Sequence, residues 1–370
     1  MEVNFGRGPE FSLGVEEEFQ LVDAESFELV PRSREVVDPK GGERRIKPEL
    51  LQSVVEAATG VATTVGRAIE NARRLRAELQ DRAAESGACI LSAGTHPFSR
   101  YEHQQITEED RYRELLDELR WVAERELIFG LHTHVGLASG DKAVAVANAL
   151  RTWLPELLAL SASSPFWQGR DTGLASTRSK VFDTMPRSGL PPLLGSFAEF
   201  EGLVERAVRG GSFADYTYLW WDLRPHPALG TIEVRVCDAQ TRLESTGALV
   251  ALTQCLVATL AERYDRGQSL PSQPALLVAE NKWRAARHGL ETDLVWLERD
   301  EERPAREAVR SLVELADPAA RRLGCSDELA SIERLCERGT GSEEQRRVHD
   351  ETGSLLGVAR WLAEETVAGL

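Results

Sequence analysis

The chain lacks the cysteine patterns that mark disulfide-rich or zinc-ribbon proteins. Its five cysteines are an odd number, they stand far apart, and no CxxC pair occurs among them. Neither a disulfide framework nor a zinc ribbon is therefore indicated. A reducing, cytoplasmic compartment fits this cysteine usage best.

Long apolar runs and an excess of basic residues are also missing. No run approaches the roughly 20 apolar residues that span a bilayer, and no signal-peptide pattern opens the chain. Lys and Arg total 44 against 60 Asp and Glu, which gives a net charge of −16. This acidity disfavours a nucleic-acid or anionic-membrane partner. We expect a soluble protein that binds neither.

The common phosphate-binding loops are absent. Neither a Walker loop nor a GxGxxG motif occurs, so a bound nucleotide would be held through metal ions and side chains. The chain has 370 residues and is 42% apolar, which is enough for a large core.

Ionisable side chains recur on one face of three predicted strands. In "LGVEEEFQLVD" the alternation places Glu16 and Glu18 on the polar face, whereas Glu17 shares the apolar face. The same alternation in "FGLHTHVGL" and "TIEVRVCD" predicts two further polar pairs, His132 with His134 and Glu233 with Arg235.

Helical periodicity dominates elsewhere in the chain. The segment "KPELLQSVVEAATG" predicts a helix with Glu49 and Glu56 on one polar stripe. Other segments predict a long amphipathic helix (62–86), a buried strand ending in a turn (88–98), a functional loop (165–193) and a mostly helical region from about residue 244.

A sheet face that carries this many carboxylates would repel itself unless a cation lay there. Oxygen ligands suit Mg²⁺ or Mn²⁺ better than zinc. Because Mg²⁺ often couples to substrate phosphates, and Arg235 lies two residues from a carboxylate, the pattern favours ATP chemistry.

Each motif also has a simpler interpretation. A run of glutamates is usually a solvated face, "HTH" alone could bind zinc, and Glu-x-Arg on a strand is most often an ion pair. Only their joint occurrence favours a functional site.

The remaining candidate side chains have structural interpretations. We interpret Cys237, on the same predicted face as Glu233, as passive packing. We interpret three tryptophans as core residues rather than adenine-stacking groups: Trp220, Trp221 and Trp283.

Five motifs occur in an order that resembles the type 2 glutamate–cysteine ligase family, also called carboxylate-amine ligases: "LGVEEEFQLVD", "FGLHTHVGL", "RSKVFDTMPRSGLP", "WWDLRPHPALGTIEVRVCDAQ" and "ENKWRAARHGL". The resemblance implies one α+β domain over residues 1–370. Its fold would be glutamine-synthetase-like, with a curved, mainly antiparallel sheet, helices on the outer face and the active site on the inner face. It also suggests a cytoplasmic homodimer.

The resemblance implies an ATP- and Mg²⁺-dependent reaction in which the γ-carboxyl of glutamate is phosphorylated and then attacked by the amine of cysteine, as in glutathione biosynthesis. By matching motif positions it assigns the metal ions to Glu16, Glu18, Glu49, Glu56, His134 and Glu233. It gives catalysis to Arg235 with Glu233. Candidates for binding ATP or substrate carboxylates are Arg178, Arg187, Arg224 and Arg284.

Two alternatives remain open at this point. One is a ligase of the same family for a different acid or amine, since "MPRSGLP" departs from the Pro-Thr-Ala-Gly of many relatives. The other is a nucleotide- or metal-binding relative without turnover. The presence of every acidic position, His134 and Arg235 favours an active enzyme.

Overall fold

A computed structural model of the chain describes residues 1–37, 45–296 and 301–370. Its strands are β1 (Leu13–Asp23), β2 (Ile46–Pro48), β3 (Val54–Ala58), β4 (Ala88–Leu91), β5 (Gly130–Gly136), β6 (Phe166–Trp167), β7 (Arg170–Asp171), β8 (Ser188–Gly189), β9 (Trp220–Trp221), β10 (Leu223–His226), β11 (Thr231–Asp238), β12 (Asp293–Trp296) and β13 (Glu301–Pro304).

The helices are α1 (Ser33–Val36), α2 (Val65–Glu85), α3 (Asp110–Leu119), α4 (Trp121–Glu124), α5 (Gly140–Leu150), α6 (Leu154–Ser161), α7 (Thr177–Phe182), α8 (Phe197–Arg209), α9 (Leu243–Asp265), α10 (Ala275–His288), α11 (Ala305–Leu323), α12 (Ser326–Arg338), α13 (Gly341–Thr352) and α14 (Leu355–Thr366). Single 3₁₀ turns occur at Tyr101–His103, Arg151–Trp153, Tyr216–Tyr218, Pro227–Leu229 and Gly289–Glu291.

One sheet organises the molecule. Its strand order is β10-β11-β5-β1-β3-β2, and β4 pairs with the far end of β1. Every pairing in this sheet is antiparallel. The long strand β1 therefore joins the two halves of the sheet, because it contacts β5, β3 and β4 along its length.

The two faces of the sheet differ as the alternation predicts. The apolar residues of β1, β5 and β11 enter one hydrophobic cluster together with residues of α5, α6, α9, α11 and α12. Helices thus cover this face, and the opposite face keeps the polar side chains. The α+β prediction, with an antiparallel sheet and helices on one side, is confirmed.

Glu17 is the charged exception on the helix-covered face. Its carboxylate accepts hydrogen bonds from Arg76 Nη2 at 2.6 Å and Nε at 3.1 Å, and from the Thr246 hydroxyl at 2.8 Å. Arg76, from α2, is fully buried. Glu17 therefore joins α2 and α9 to the centre of β1, and the predicted placement of this residue away from the polar face is confirmed.

The predicted helix over residues 48–60 is wrong. Strands β2 and β3 and a tight turn occupy this segment, with Val55 opposite Phe19 of β1. The β-branched Val54 and Val55 suit a half-buried strand, and pairing with β1 satisfies their backbone groups. The predicted helix at 62–86 is confirmed as α2, whose N-cap Thr64 accepts a hydrogen bond from the Arg67 amide.

Contrary to the prediction that no apolar run reaches the length of a membrane span, two helical stretches have that length and apolar composition: Gly140–Ser161 and Leu243–Asp265. Most of each stretch is buried inside the fold. The second includes the long core helix α9, and burial within the protein accounts for its apolar composition. The region after residue 244 is mostly helical, as predicted.

Candidate active site

The open face of the sheet carries a row of ionisable side chains. Directly paired residues of antiparallel strands project on the same side of the sheet. The observed register gives these pairs: Glu18 with Glu56, Glu16 with His132, His134 with Glu233, and Glu233 with Arg224. Five strands, β3, β1, β5, β11 and β10, thus deliver the predicted residues to one surface.

Glu16, His134 and Glu233 form the tightest group, with ligand atoms within 4.8 Å of one another. His134 Nε2 lies 3.6 Å from Glu16 Oε1 and 4.0 Å from Glu233 Oε1. This nitrogen is buried and has no hydrogen-bond partner among the described residues. The other ring nitrogen, Nδ1, lies 3.0 Å from the Thr231 hydroxyl. A metal-ligating histidine has this arrangement, since a hydrogen bond at one nitrogen leaves the other free for the ion.

The charges in this group favour ionised carboxylates. Burial opposes ionisation of Glu16, but the nearby charge of His134 and the hydrogen bond from His132 outweigh it and lower the pKa of Glu16. Burial likewise opposes the Glu233 anion, yet Arg224 and Arg235 hold its pKa well below the usual range. Burial disfavours the His134 cation, but the two carboxylates raise its pKa. Both carboxylates are therefore available to bind a cation.

A second group, Glu18, Glu49 and Glu56, lies beside the first. Burial, followed by the charges of Glu56 and Glu18, raises the pKa of Glu49 well above its ordinary value. Burial and the charge of Glu16 raise the pKa of Glu56 to about 7, although Lys47 Nζ lies 3.2 Å from Glu56 Oε1. Because Glu49 and Glu56 resist ionising together, a bound divalent cation would relieve their repulsion.

The donor chemistry fits a hard divalent cation. Carboxylate oxygens outnumber the single histidine nitrogen in the tight group, which suits Mg²⁺ or Mn²⁺ better than zinc. The second histidine of the "HTH" motif, His132, has its Nδ1 3.4 Å from Glu16 Oε2. The six predicted metal ligands thus share one surface, and three of them approach one another closely.

A β-bulge sets the position of Arg235. The register between β11 and β5 shifts between Val234 and Cys237, so that two residues of β11 oppose one of β5. Arg235 Nη1 lies 2.5 Å from Glu233 Oε1, and its Nε is buried without a hydrogen-bond partner in the described parts of the chain. The guanidinium pairs with Glu233 and also lines the cavity above the sheet.

The same bulge makes the predicted face of Cys237 wrong. Beyond the bulge, Cys237 pairs with Leu131 and packs in the hydrophobic core, on the side away from Glu233. Burial raises the pKa of its thiol to about 12. A buried, protonated thiol agrees with the interpretation of Cys237 as passive packing. All five cysteines are free thiols.

Two of the predicted ligand-binding arginines are buried near the site. Arg178 of α7 lines the cavity, and its Nη groups donate to the backbone carbonyls of residues 235 and 236. Arg224 Nε lies 2.7 Å from Glu233 Oε2, and its Nη1 donates to two backbone carbonyls. Arg178 thus lies at the cavity surface, whereas Arg224 positions Glu233.

The other two arginines lie further out. Arg187 has a left-handed backbone, with φ of 62°, and its guanidinium lies 5.2 Å from the Trp220 ring, which lines the cavity. Arg284 pairs with Glu280 at 3.0 Å and Glu302 at 2.7 Å and is not part of the cavity lining. The structure does not bring Arg284 to the other candidates, so its binding role stays a prediction without support.

The cavity above the sheet is also lined by residues outside the predicted set. Glu126, Tyr218 and Arg111 line it. Segment 165–193, predicted to be a loop, instead contains helix α7 and the short strands β6, β7 and β8, and it adds Phe182 and Met185 beside Arg178. Glu126 directly precedes the apolar run before β5, so a lone acid beside a buried strand was the available signal.

The three tryptophans differ from one another. Trp221 is buried in a hydrophobic cluster, as predicted. The core interpretation is wrong for Trp283, which is 47% exposed, and for Trp220, which lines the cavity. Trp220 is therefore the tryptophan placed to contact a ligand.

The family model for glutamate–cysteine ligase family 2 matches residues 12–361 of the chain. The chain belongs to this family. A protein of Rubrobacter xylanophilus provisionally named glutamate–cysteine ligase 2-1 is 46% identical over 99% of this chain and 98% of its own length. A protein of Frankia alni with the same provisional name is 43% identical over 100% of this chain and 98% of its own length.

Solved structures of ligases share the fold. The crystal structure of glutamate–cysteine ligase from Francisella tularensis in complex with AMP has a TM-score of 0.71 at 15% identity, and the match covers 97% of this chain and 90% of that one. A bifunctional glutathione synthetase from Pasteurella multocida gives 0.70 at 15% identity, covering 97% of this chain and 52% of that one. At these identities the likeness concerns the fold alone.

Proposed function

We propose that this family member is an ATP-dependent ligase that joins L-glutamate to L-cysteine. ATP would phosphorylate the γ-carboxylate of glutamate, and the cysteine amine would displace phosphate from the acyl phosphate to give γ-glutamylcysteine, ADP and phosphate. The observation that carries the proposal is the unpartnered, buried His134 Nε2 between Glu16 and Glu233, on a face that also holds Glu18 and the cavity.

The comparisons support the nucleotide and the substrate class. The relatives carry the name glutamate–cysteine ligase, and a protein with this fold has been crystallised with AMP. With glutamate and cysteine as substrates, the product would be γ-glutamylcysteine, a thiol used in glutathione synthesis. The proposal extends to a cytoplasmic homodimer in which residues 1–370 act as one catalytic domain.

Each group on the sheet has a role in this proposal. Glu16, His134 and Glu233 would hold one Mg²⁺ or Mn²⁺, and the neighbouring carboxyls Glu18, Glu49 and Glu56 would hold another. The bound ions would neutralise charge on the ATP phosphates. Arg235 pairs with Glu233 and has an unpartnered Nε, and it would stabilise the transferring phosphoryl group.

ADP release tests the proposal. Purified protein is incubated with ATP, Mg²⁺ and a panel of acids and amines, and we expect turnover only when both an acid and an amine are present, with glutamate and cysteine the best pair. Glu16→Gln should abolish turnover, whereas Glu25→Gln, an exposed residue just beyond β1, should not. ADP release without an amine requirement would contradict ligase chemistry. Turnover with another pair would identify a ligase of different specificity.

A further inference from the structure

Glu126 is a cavity carboxyl that the metal groups do not use. It lies between α4 and β5, and its side chain lines the cavity together with Arg178 and Glu18. Its Oε1 atom is buried and accepts no hydrogen bond from any residue that the structure describes. A buried polar atom without a partner costs free energy, so a ligand that supplied the partner would bind more tightly.

The charge of the surroundings identifies the kind of partner. Burial raises the pKa of Glu126 to about 8, even though the charges of Arg178 and Arg125 act to lower it. The buried surroundings thus favour the neutral carboxyl over the anion. A cationic ligand group would favour the anion and gain a charge-assisted hydrogen bond.

The other charged residues of the cavity make a cation at Glu126 chemically consistent. Arg111, Arg178 and Arg235 offer guanidinium groups for phosphate and carboxylate oxygens, and Glu18 and Glu49 belong to the metal surface. Glu126 is thus the carboxyl of this lining that neither group accounts for. Two substrate groups still need an acidic partner: the α-ammonium of glutamate and the amine, which is an ammonium ion before it reacts. The apolar Phe182 and Met185 in the same lining favour the less polar amine substrate.

We propose that Glu126 binds the ammonium group of the amine substrate and so selects cationic amines. This inference rests on the proposed ligase function. The side chains of Phe182 and Met185 line the same cavity and offer an apolar surface for the rest of that substrate.

A comparison of two nucleophiles tests Glu126. Hydroxylamine is uncharged at neutral pH and traps acyl phosphates as hydroxamates, so it needs no ammonium site. L-cysteine, or whichever amine gives the highest turnover with the wild-type protein, does need one. The variant is Glu126→Gln, which preserves size and removes the charge. The matched control is Glu124→Gln, an exposed residue two positions away.

We expect Glu126→Gln to raise the KM for the amine by about 10- to 100-fold, the loss typical of a hydrogen bond to a charged group. The KM values for the acid and ATP and the rate of hydroxamate formation should stay near wild type, which also shows that the variant is folded. Glu124→Gln should leave all four quantities unchanged.

Two results would overturn this inference alone. One is an unchanged KM for the amine in Glu126→Gln. The other is an equal loss of amide and hydroxamate formation, which would place Glu126 in the acid or nucleotide site. If the wild-type protein formed neither product from acid and ATP, the ligase function would fail, and the inference with it.

Discussion

Two neighbouring glutamates of β1 should respond in opposite ways to the same substitution. Glu17 lies on the helix-covered face and pairs with buried Arg76, whereas Glu18 lies on the carboxylate-rich face and lines the cavity. Replacing each by glutamine removes one negative charge at nearly constant volume. Glu17→Gln should destabilise the fold and leave catalysis intact. Glu18→Gln should impair catalysis and leave the stability of the fold unchanged.

The size of the Glu17 effect follows from its partner. Arg76 is 0% exposed and would keep its charge without the carboxylate that neutralises it. Breaking a buried ion pair on one side costs about 3–5 kcal/mol. With an unfolding entropy of about 2.1 cal/mol/K per residue, the loss lowers Tm by about 4–6 °C for a chain of this length. Glu18→Gln removes one of several mutually repelling carboxyls, so we expect no loss of Tm.

Circular dichroism during heating measures the Tm of each variant. Turnover is measured separately, at a temperature well below both unfolding transitions. Glu17→Gln should turn over near the wild-type rate per folded molecule, and Glu18→Gln should lose most activity while keeping its Tm. If Glu17→Gln lost as much activity as Glu18→Gln at full folding, the assignment of β1 faces would be wrong.

Three further substitutions test separate parts of the site. Arg235→Lys should lower kcat by about 10²–10³-fold with a smaller change in ATP affinity measured by calorimetry, because lysine lacks the guanidinium fork; a loss of affinity with kcat intact would make Arg235 only a partner of Glu233. The pKa of Glu56 is raised from 4.5 to about 7, so the folded, metal-free protein binds this proton more tightly than the unfolded chain does. The free energy of unfolding should therefore fall as the pH rises from 4.5 to about 7. In Glu56→Gln this decrease should be smaller in urea titrations, and an identical pH dependence would contradict the assignment. Cys237→Ala should retain kcat, and the wild-type thiol should resist alkylation at mildly alkaline pH unless the protein unfolds, since its pKa is about 12. Rapid alkylation of the folded protein would contradict the burial of this thiol.

Alternation along single strands was enough to predict the faces of β1 and β5. Each has a period of two residues, and burial of one face fixes which side chains reach the other. The error at 48–60 arose because Glu49 and Glu56 lie seven residues apart, a spacing that suits one helical face. Pairing of β3 with β1, a contact between distant residues, decided the actual structure.

Two other features depend on the three-dimensional structure. The bulge between Val234 and Cys237 reverses the alternation within one strand, and no residue in "EVRVC" marks it. The position of Glu126 in the cavity beside Arg178 of α7 depends on contacts between distant segments, which the local sequence does not encode. In contrast, the family motifs identified the residues that β3, β1, β5 and β11 bring together.

The fate of a carboxylate oxygen tests the central claim most directly. An acyl phosphate forms when a carboxylate oxygen attacks the γ-phosphorus, and this oxygen leaves with phosphate when the amine attacks the acyl carbon. Glutamate labelled with ¹⁸O in its γ-carboxylate should therefore transfer one labelled oxygen to each phosphate formed with cysteine, as measured by mass spectrometry. Unlabelled phosphate at the same yield of amide would contradict the account.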